Sequence, residues 1–410
     1  MADSPVLHLH NSLRQAKERC AIFLGAGSSY DYGIPTMAEN AKILRDMIKI
    51  RKPDHGISES TLNILSELCP NGEEENATWN IEDLLTRLYQ ILDAVGGEDT
   101  PFAIVTTAFG NTKVNSKIIS NASDELIQFM AIMCDLTSQK YTNHGAGQVE
   151  YLSRFFLSMA SFAKPVNRLV RVFTTNIDLC IEAAIVRLSQ RVRAERHPDI
   201  ILVDGFESAI LPTFNMGCYS RPPSPAGNRC AVYYWKLHGS IDWTFTQPLV
   251  RGETPEEGGF SDQSIIVRRV DTELGNSLND CGAICAKSPS DNQRIVIFPT
   301  PAKYSQTYTF PYMDMFEAFR RTLEEVELLI CVGTSFPDQH IRSAVRSFVE
   351  RDNTLLFVID PQVTDDELKS YFGSSRSVQP VISMGFEEFI NEFESLETMT
   401  VDSHSKGGMS

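Results

Sequence analysis

No apolar run in the chain approaches the roughly 18 residues that a membrane-spanning helix needs, and the polar start Met1-Ala2-Asp3-Ser4 lacks the apolar stretch of a secretory leader. A soluble protein in the cytoplasm is expected. Positive charge is scarce: 37 Lys and Arg face 53 Asp and Glu, for a formal net charge of −16. Binding to a phosphate backbone rests mostly on Lys and Arg, so direct nucleic-acid binding is not expected. There is no dense metal-carboxylate motif and no basic stripe, which disfavours a nuclease. Paired cysteines are missing too. The nine cysteines are odd in number, and Cys20, Cys180 and Cys331 lie in or beside apolar runs, as reduced thiols packed like small hydrophobes do. Only Cys281 and Cys285 are close together, whereas a closed zinc site usually takes two tight pairs, so no zinc is expected. No internal repeat is evident.

What is present is ordinary globular material, 42% hydrophobic and 22% charged, which excludes a mainly disordered chain. At 410 residues it exceeds the usual size of one compact core. Residues 5 to 19 have helical spacing, and Cys20 to Leu24 reads as a buried strand. Pro35 suits a helix start, with a helix continuing from Ala38 to Ile50. From 51 to 165 the pattern is helical throughout, with helices expected at 58–69, 80–94, 117–136 and 146–162 and an acidic turn at Asn71-Gly72-Glu73-Glu74-Glu75. Strand signals return at Leu169–Phe173, Ile200–Val203, Val232–Trp235, Ile295–Phe298, Leu328–Val332 and Leu355–Ile359. Apolar strands alternating with helices predict an α/β fold with a doubly wound, Rossmann-like parallel sheet. Residues 1–50 and 166–397 would form that domain, 51–165 a largely helical insertion, and 398–410 a small, polar, disordered tail. Arg221-Pro222-Pro223-Ser224-Pro225-Ala226-Gly227 reads as a loop, and residues 250–291 as irregular.

Polar segments stand directly after buried runs at four places: Gly25-Ala26-Gly27-Ser28 with Gly33-Ile34-Pro35 beyond, Thr174-Thr175-Asn176-Ile177-Asp178, Lys236-Leu237-His238-Gly239-Ser240, and Gly333-Thr334-Ser335. In a parallel sheet such residues converge, because ligands bind beyond the carboxyl ends of the strands. Gly25-Ala26-Gly27 would let backbone amides and a following helix N-terminus meet a diphosphate; alone it is equally a tight strand-to-helix turn. Asn176 can donate to and accept from a ribose hydroxyl or a water without changing charge, while Asp178 is as readily a helix N-cap. His238 beside Gly239 offers an imidazole that titrates near neutrality, as a general base requires. Gly333, Thr334 and Ser335 supply a flexible backbone and two hydroxyls. Asp360, ending Leu355–Ile359, could take both hydroxyls of an adenosine ribose or serve a turn with Pro361.

In this order the four segments resemble the NAD site of the sirtuin family. The resemblance implies a Rossmann-like fold and NAD as substrate, with Asn176 and His238 catalytic and Gly25, Ala26, Gly27, Ser28, Pro35, Asp178, Gly333, Thr334, Ser335 and Asp360 binding it. Protein deacylases of the family usually continue with Asp-Phe-Arg after the proline, where this chain has Thr36-Met37-Ala38, and they carry a paired-cysteine zinc module. Phe298-Pro299-Thr300-Pro301-Ala302-Lys303 occupies the region of their acyl-lysine channel. The size, the run Asn80-Ile81-Glu82-Asp83-Leu84-Leu85 and that Pro-x-Pro-x-Lys sequence are similar to the sirtuin-like proteins of bacterial anti-phage defence. Within these, the chain most resembles the kind that works with a HerA-type ATPase. This implies an NAD hydrolase, a homo-oligomer and an ATPase partner. An NAD-dependent protein deacylase, or an assembly subunit that binds NAD or ADP-ribose, are the alternatives.

Overall fold

The computed structural model describes residues 4–69, 81–95, 103–107, 110–114, 116–134, 150–163, 168–191, 198–207, 212–220, 229–246, 265–268, 294–296 and 310–406. In chain order they form α1 (Pro5–Ala16), β1 (Cys20–Leu24), a 3₁₀ helix (Ala26–Tyr32), α2 (Met37–Ile50), α3 (Glu59–Leu68), α4 (Ile81–Val95), β2 (Ala103–Thr107), β3 (Gly110–Val114), α5 (Ser116–Met133) and α6 (Glu150–Phe162). Next come β4 (Arg168–Thr174), α7 (Cys180–Arg191), β5 (Asp199–Val203), β6 (Phe206–Glu207), β7 (Thr213–Phe214), a second 3₁₀ helix (Met216–Ser220), β8 (Arg229–Lys236), β9 (Gly239–Thr246), β10 (Ile265–Arg268) and β11 (Arg294–Val296). The last elements are α8 (Tyr312–Glu325), β12 (Leu328–Val332), α9 (Gln339–Val349), β13 (Leu355–Ile359), α10 (Asp365–Phe372) and α11 (Phe386–Lys406).

A parallel six-stranded sheet in the order β13-β12-β1-β4-β8-β5 forms the centre. Successive side chains of a strand point to opposite faces, and β1 feeds two cores in this way. Ile22 and Leu24 join a cluster with Leu9, Phe155, Cys180 and Phe389, under α1, α6, α7 and α11. Ala21 and Phe23 join Phe319, Val345 and Leu368, under α8, α9 and α10. Burying one such large side chain is worth about 1.5–3 kcal/mol, so a strand buried on both faces must be apolar throughout. That explains the unbroken runs Leu328–Val332 and Leu355–Ile359, whose observed bounds match the predicted ones. A five-stranded sheet, β11-β9-β10-β7-β6, adjoins the second core through Phe214 and Trp243. A third cluster, with Leu44, Leu65, Leu84, Leu126 and Phe129, belongs to α2 to α5. Ile177 packs against both this cluster and the first one, so the helical module reaches the turn that carries Asn176.

Several expectations are corrected. The 51–165 segment is not helical throughout: Ala103-Ile104-Val105-Thr106-Thr107, rich in β-branched residues, pairs with β3 in an antiparallel hairpin. The strand expected at Ile295–Phe298 is β11, antiparallel to β9 in the smaller sheet, and β10 lies within the stretch expected to be irregular. The helix α11 runs on to Lys406, past the predicted start of a disordered tail at 398. Pro35 precedes the helix start, since Thr36 is the N-cap of α2. Its hydroxyl accepts from the Glu39 amide while the Glu39 carboxylate accepts from the Thr36 amide. The Asn71–Glu75 turn, Asn80, the Arg221–Gly227 loop, Cys281, Cys285 and Phe298–Lys303 lie outside the described residues, as do residues 146–149 of the last predicted helix of the module. Cys20, Cys69, Cys180, Cys230 and Cys331 are free thiols, and burial pushes those of Cys20 and Cys230 up to about 12.

Candidate active site

Strand register brings the predicted segments to one edge. Leu24 stands opposite both Val332 and Thr174, Thr174 opposite Lys236, and Val332 opposite Ile359. The next residues on each strand, Gly25, Thr175, Leu237, Gly333 and Asp360, therefore leave the sheet side by side at its carboxyl end. The chain builds one side of the sheet from β4, β5 and β8, then returns to add β12 and β13 on the other side of β1. The strand order thus reverses between β1 and β12, the position where ligands bind in open α/β sheets.

At that reversal the two glycine segments pack on each other. Gly25 N–H donates to the Val332 carbonyl at 2.9 Å and Gly27 N–H to the Gly333 carbonyl at 2.9 Å. A Cβ on Gly25 would lie 2.5 Å from the Gly333 oxygen, so the glycine is required by close backbone approach. These amides serve the junction of two loops, where the sequence suggested a diphosphate. The strand is followed by the 3₁₀ helix in place of a direct α-helix start. Ser28 is buried and its hydroxyl donates to the Gly25 carbonyl at 2.7 Å. Ala26 and Ser335 are exposed at the outer side of this junction. Thr334 turns inward, its hydroxyl accepting from the Phe336 amide at 3.1 Å. Pro35 is half-buried, and its carbonyl accepts from the Asn40 side chain at 3.5 Å.

Asn176 closes the loop from the β4 side. Its amide nitrogen donates toward the Gly25 carbonyl at 2.9 Å, Ser29 Oγ at 3.1 Å and Ser28 Oγ at 3.3 Å. Its backbone is held by Thr174, whose hydroxyl accepts from Asn176 N at 2.9 Å and donates to the Leu24 carbonyl at 2.7 Å. Asp178 accepts the Cys180 amide at 3.0 Å, a local turn that leads into α7. Asp360 makes the turn of its alternative reading, accepting from Gln362 N at 2.8 Å and Val363 N at 3.2 Å.

His238 occupies the two-residue link between β8 and β9, with Gly239 at φ +76° supplying the left-handed turn. Leu237 N donates to the Thr174 carbonyl at 2.8 Å and Ile241 N to the Ile177 carbonyl at 3.1 Å, which ties this link to the Asn176 turn. His238 Nε2 lies 3.1 Å from Asp338 Oδ2. Lys236, almost fully buried, meets Glu182 at 3.0 Å and donates to the Asp178 carbonyl. Burial pushes the Glu182 carboxyl up to about 7 against the pull of Lys236, with Asp242 adding to the rise. Ser29, Thr174 and Lys236 stand in the strand-end segments that the sequence singles out but were given no role there, and sequence reasoning missed Asp338 and Glu182. A signal existed for Asp338, an Asp just before an apolar helix, but it reads as a cap. Among the described residues no group of three or more His, Cys, Asp or Glu could hold a metal ion, and no helix is long and apolar enough to cross a membrane.

A parallel sheet with paired glycine loops at its switch point, and an asparagine and a histidine at neighbouring strand ends, defines a Rossmann-like α/β protein with its candidate site at the carboxyl edge. The SIR2-like domain model matches residues 170–381, more than half of the chain, and the chain belongs to that family. It is also similar to solved structures. A Sir2 homologue in complex with NAD shares 10% identity over 95% of this chain and 94% of that one, with a TM-score of 0.38. A structure solved for the mechanism and regulation of Sir2 enzymes shares 15% identity over 97% and 99%, with a TM-score of 0.39. No curated protein matches the chain.

Proposed function

We propose that this protein hydrolyses NAD at the bond between nicotinamide and ribose, giving nicotinamide and ADP-ribose or a cyclised product. The observation that carries the reading is the placement of Asn176, just past the end of β4, and His238, just past the end of the adjacent β8, on two turns tied together by backbone hydrogen bonds at the carboxyl edge of a SIR2-like sheet. NAD is the substrate expected there, since a Sir2 homologue has been solved as its NAD complex. The nicotinamide starts as a pyridinium and leaves neutral, so the transition state is oxocarbenium-like. His238 would accept a proton from water or a ribose hydroxyl, a contribution of about 10²- to 10⁴-fold for a positioned base. Asn176 would hold the ribose or the water by its carboxamide oxygen, because its nitrogen is engaged by the β1 loop. The exposed Ala26 and Ser335, with Gly27, Thr334 and Gly333 behind them, would line the diphosphate side.

Hydrolysis is favoured over deacylation because Thr36-Met37-Ala38, with Thr36 as the α2 cap, stands where the deacylases of the family carry Asp-Phe-Arg. The setting would be anti-phage defence by NAD depletion, in a homo-oligomer working with a HerA-type ATPase. The test is to incubate the purified protein with NAD, alone and with such an ATPase, and to separate the products. ADP-ribose formed without peptide supports the reading, and its loss in H238A supports the assignment. O-acyl-ADP-ribose formed only with an acylated peptide would replace it with a deacylase. NAD binding without turnover, with or without the ATPase, would leave an assembly subunit.

A further inference from the structure

The strands that precede His238 and Asp338, β8 and β12, are separated in the sheet by β1 and β4, yet the two side chains meet at 3.1 Å. Their side chains are 7% and 8% exposed, so water screens the contact little. Capping α9 occupies one carboxylate oxygen, Oδ1, which accepts the His340 amide at 3.0 Å; the other, Oδ2, is turned to the imidazole. The loop that presents it is fixed at several points. Arg342 donates to the Phe336 carbonyl at 2.6 Å and the Pro337 carbonyl at 3.0 Å, and Phe336, fully buried, holds φ +54°. Phe316 of α8 lies beside the ring, with centroids 6.5 Å apart.

We propose that Asp338 is the positioning residue for His238, which makes a neutral ring with its lone pair on Nδ1 and opposes the charge of the imidazolium formed in catalysis. The inference rests on the NAD-cleavage reading above. With Nε2–H given to the carboxylate, the second ring nitrogen is the base. In the reaction the water oxygen bonds to the ribose anomeric carbon as the bond from that carbon to the nicotinamide nitrogen breaks. The bonding pair leaves with nicotinamide, and the water proton passes to Nδ1 and then to solvent. Among the described residues, the titratable groups on the elements next to His238 are Asp338 and His340 at the start of α9, Asp178 in the β4–α7 turn, to which the link is tied through its backbone, and the Lys236–Glu182 pair at the end of β8. Asp338 Oδ2 lies at hydrogen-bond distance from the ring.

The variant D338N tests this, because Asn caps a helix about as well as Asp but carries no charge. Three readouts are needed: kcat and KM for NAD, the thermal midpoint, and the titration of His238 followed by the ¹³Cε1 resonance, assigned through its loss in H238Q among the eight histidines. In D338N the His238 midpoint should move down by about one pH unit, as removal of a neighbouring carboxylate requires. The value of kcat should fall about 10²-fold, KM should stay within about threefold, and the acid limb of the kcat profile should follow the resonance. An unmoved His238 titration overturns the pairing whatever the activity. A moved titration with wild-type kcat overturns the role in catalysis. If the wild-type protein cleaves no NAD, the hydrolase reading fails separately, and the titration still decides the pairing.

Discussion

Gly27 rests directly on Gly333: a Cβ on Gly27 would stand 2.8 Å from the Gly333 Cα, and one on Gly333 would stand 2.2 Å from Ser28 N. Two loops from adjacent strands are thus locked backbone to backbone at the edge where ligand is expected. The glycines set the distance between β1 and β12 loops as much as they offer room to a substrate.

Replacing Gly333 by alanine should therefore be severe. The residue has φ +64°, costing about 1 kcal/mol for a side chain, and the added methyl meets backbone that cannot swing aside. A loss of about 3 kcal/mol or more is expected in urea unfolding. Gly373 has φ +73° and ψ −175°, a region essentially reserved for glycine, with nothing within 4 Å of an added Cβ, so G373A should carry backbone strain alone, about 1–3 kcal/mol. Equal losses would show that the Gly27–Gly333 contact adds nothing.

Asn176 is structural as well as a candidate for chemistry. It is buried and its side-chain nitrogen meets Gly25, Ser28 and Ser29. N176A removes the donor shared by the Gly25 carbonyl and the Ser28 and Ser29 hydroxyls, while the Gly25 carbonyl keeps its bonds from the Ser28 amide and hydroxyl, so the loss is about 0.5–1.5 kcal/mol per hydrogen bond removed. Its denaturation midpoint should fall along with any NAD cleavage. S29A removes one acceptor only and should cost no more than about 1 kcal/mol. A wild-type midpoint for N176A would mean that the loop does not depend on this amide.

Tyr151, from α6, donates its hydroxyl to the Ser28 carbonyl at 2.8 Å in a buried setting and packs edge-on against Phe386 of α11. Y151F keeps the ring and removes the donor. It should cost about 1–2 kcal/mol, with amide exchange rising first in Ala26–Tyr32. Exchange that rises uniformly over the chain would instead indicate a global effect.

The sheet was legible because its strands are buried on both faces, which leaves apolar runs such as Cys20–Leu24 that end where polar residues begin. That same rule singled out Asn176 and His238 as candidates. Asp338 was not legible: it stands 100 residues from His238 in sequence, and only the fold of α9 over the sheet edge joins them. Lys236 and Glu182 could be paired only with the knowledge that β4 and β8 are neighbours. The hairpin of β2 and β3 was hidden among helical spacings, since five residues are too few to establish a period of two. The glycines were found, but their reason was not, because mutual packing of two loops leaves no mark in either one alone.

Glu182 predicts how stability depends on pH. Burial raises its carboxyl to about 7, Lys236 opposing and Asp242 adding to the rise, while an unfolded glutamate titrates near about 4.3. A group whose folded value is raised contributes stability that is complete below the unfolded value and is lost as pH climbs through the folded one. Between about pH 4.5 and 7.5 this group alone should lower stability, on the order of 1–3 kcal/mol. E182Q mimics the protonated form and has no such slope. It should match wild type near about pH 4, below the unfolded value, and gain on it as pH rises, consistent with the high cost of burying both charges of an ion pair. Unfolding free energies of the two proteins at intervals from about pH 4 to 8.5 provide the check. If E182Q instead lost ground steadily with rising pH, the ion pair with Lys236 would outweigh the burial of its carboxylate.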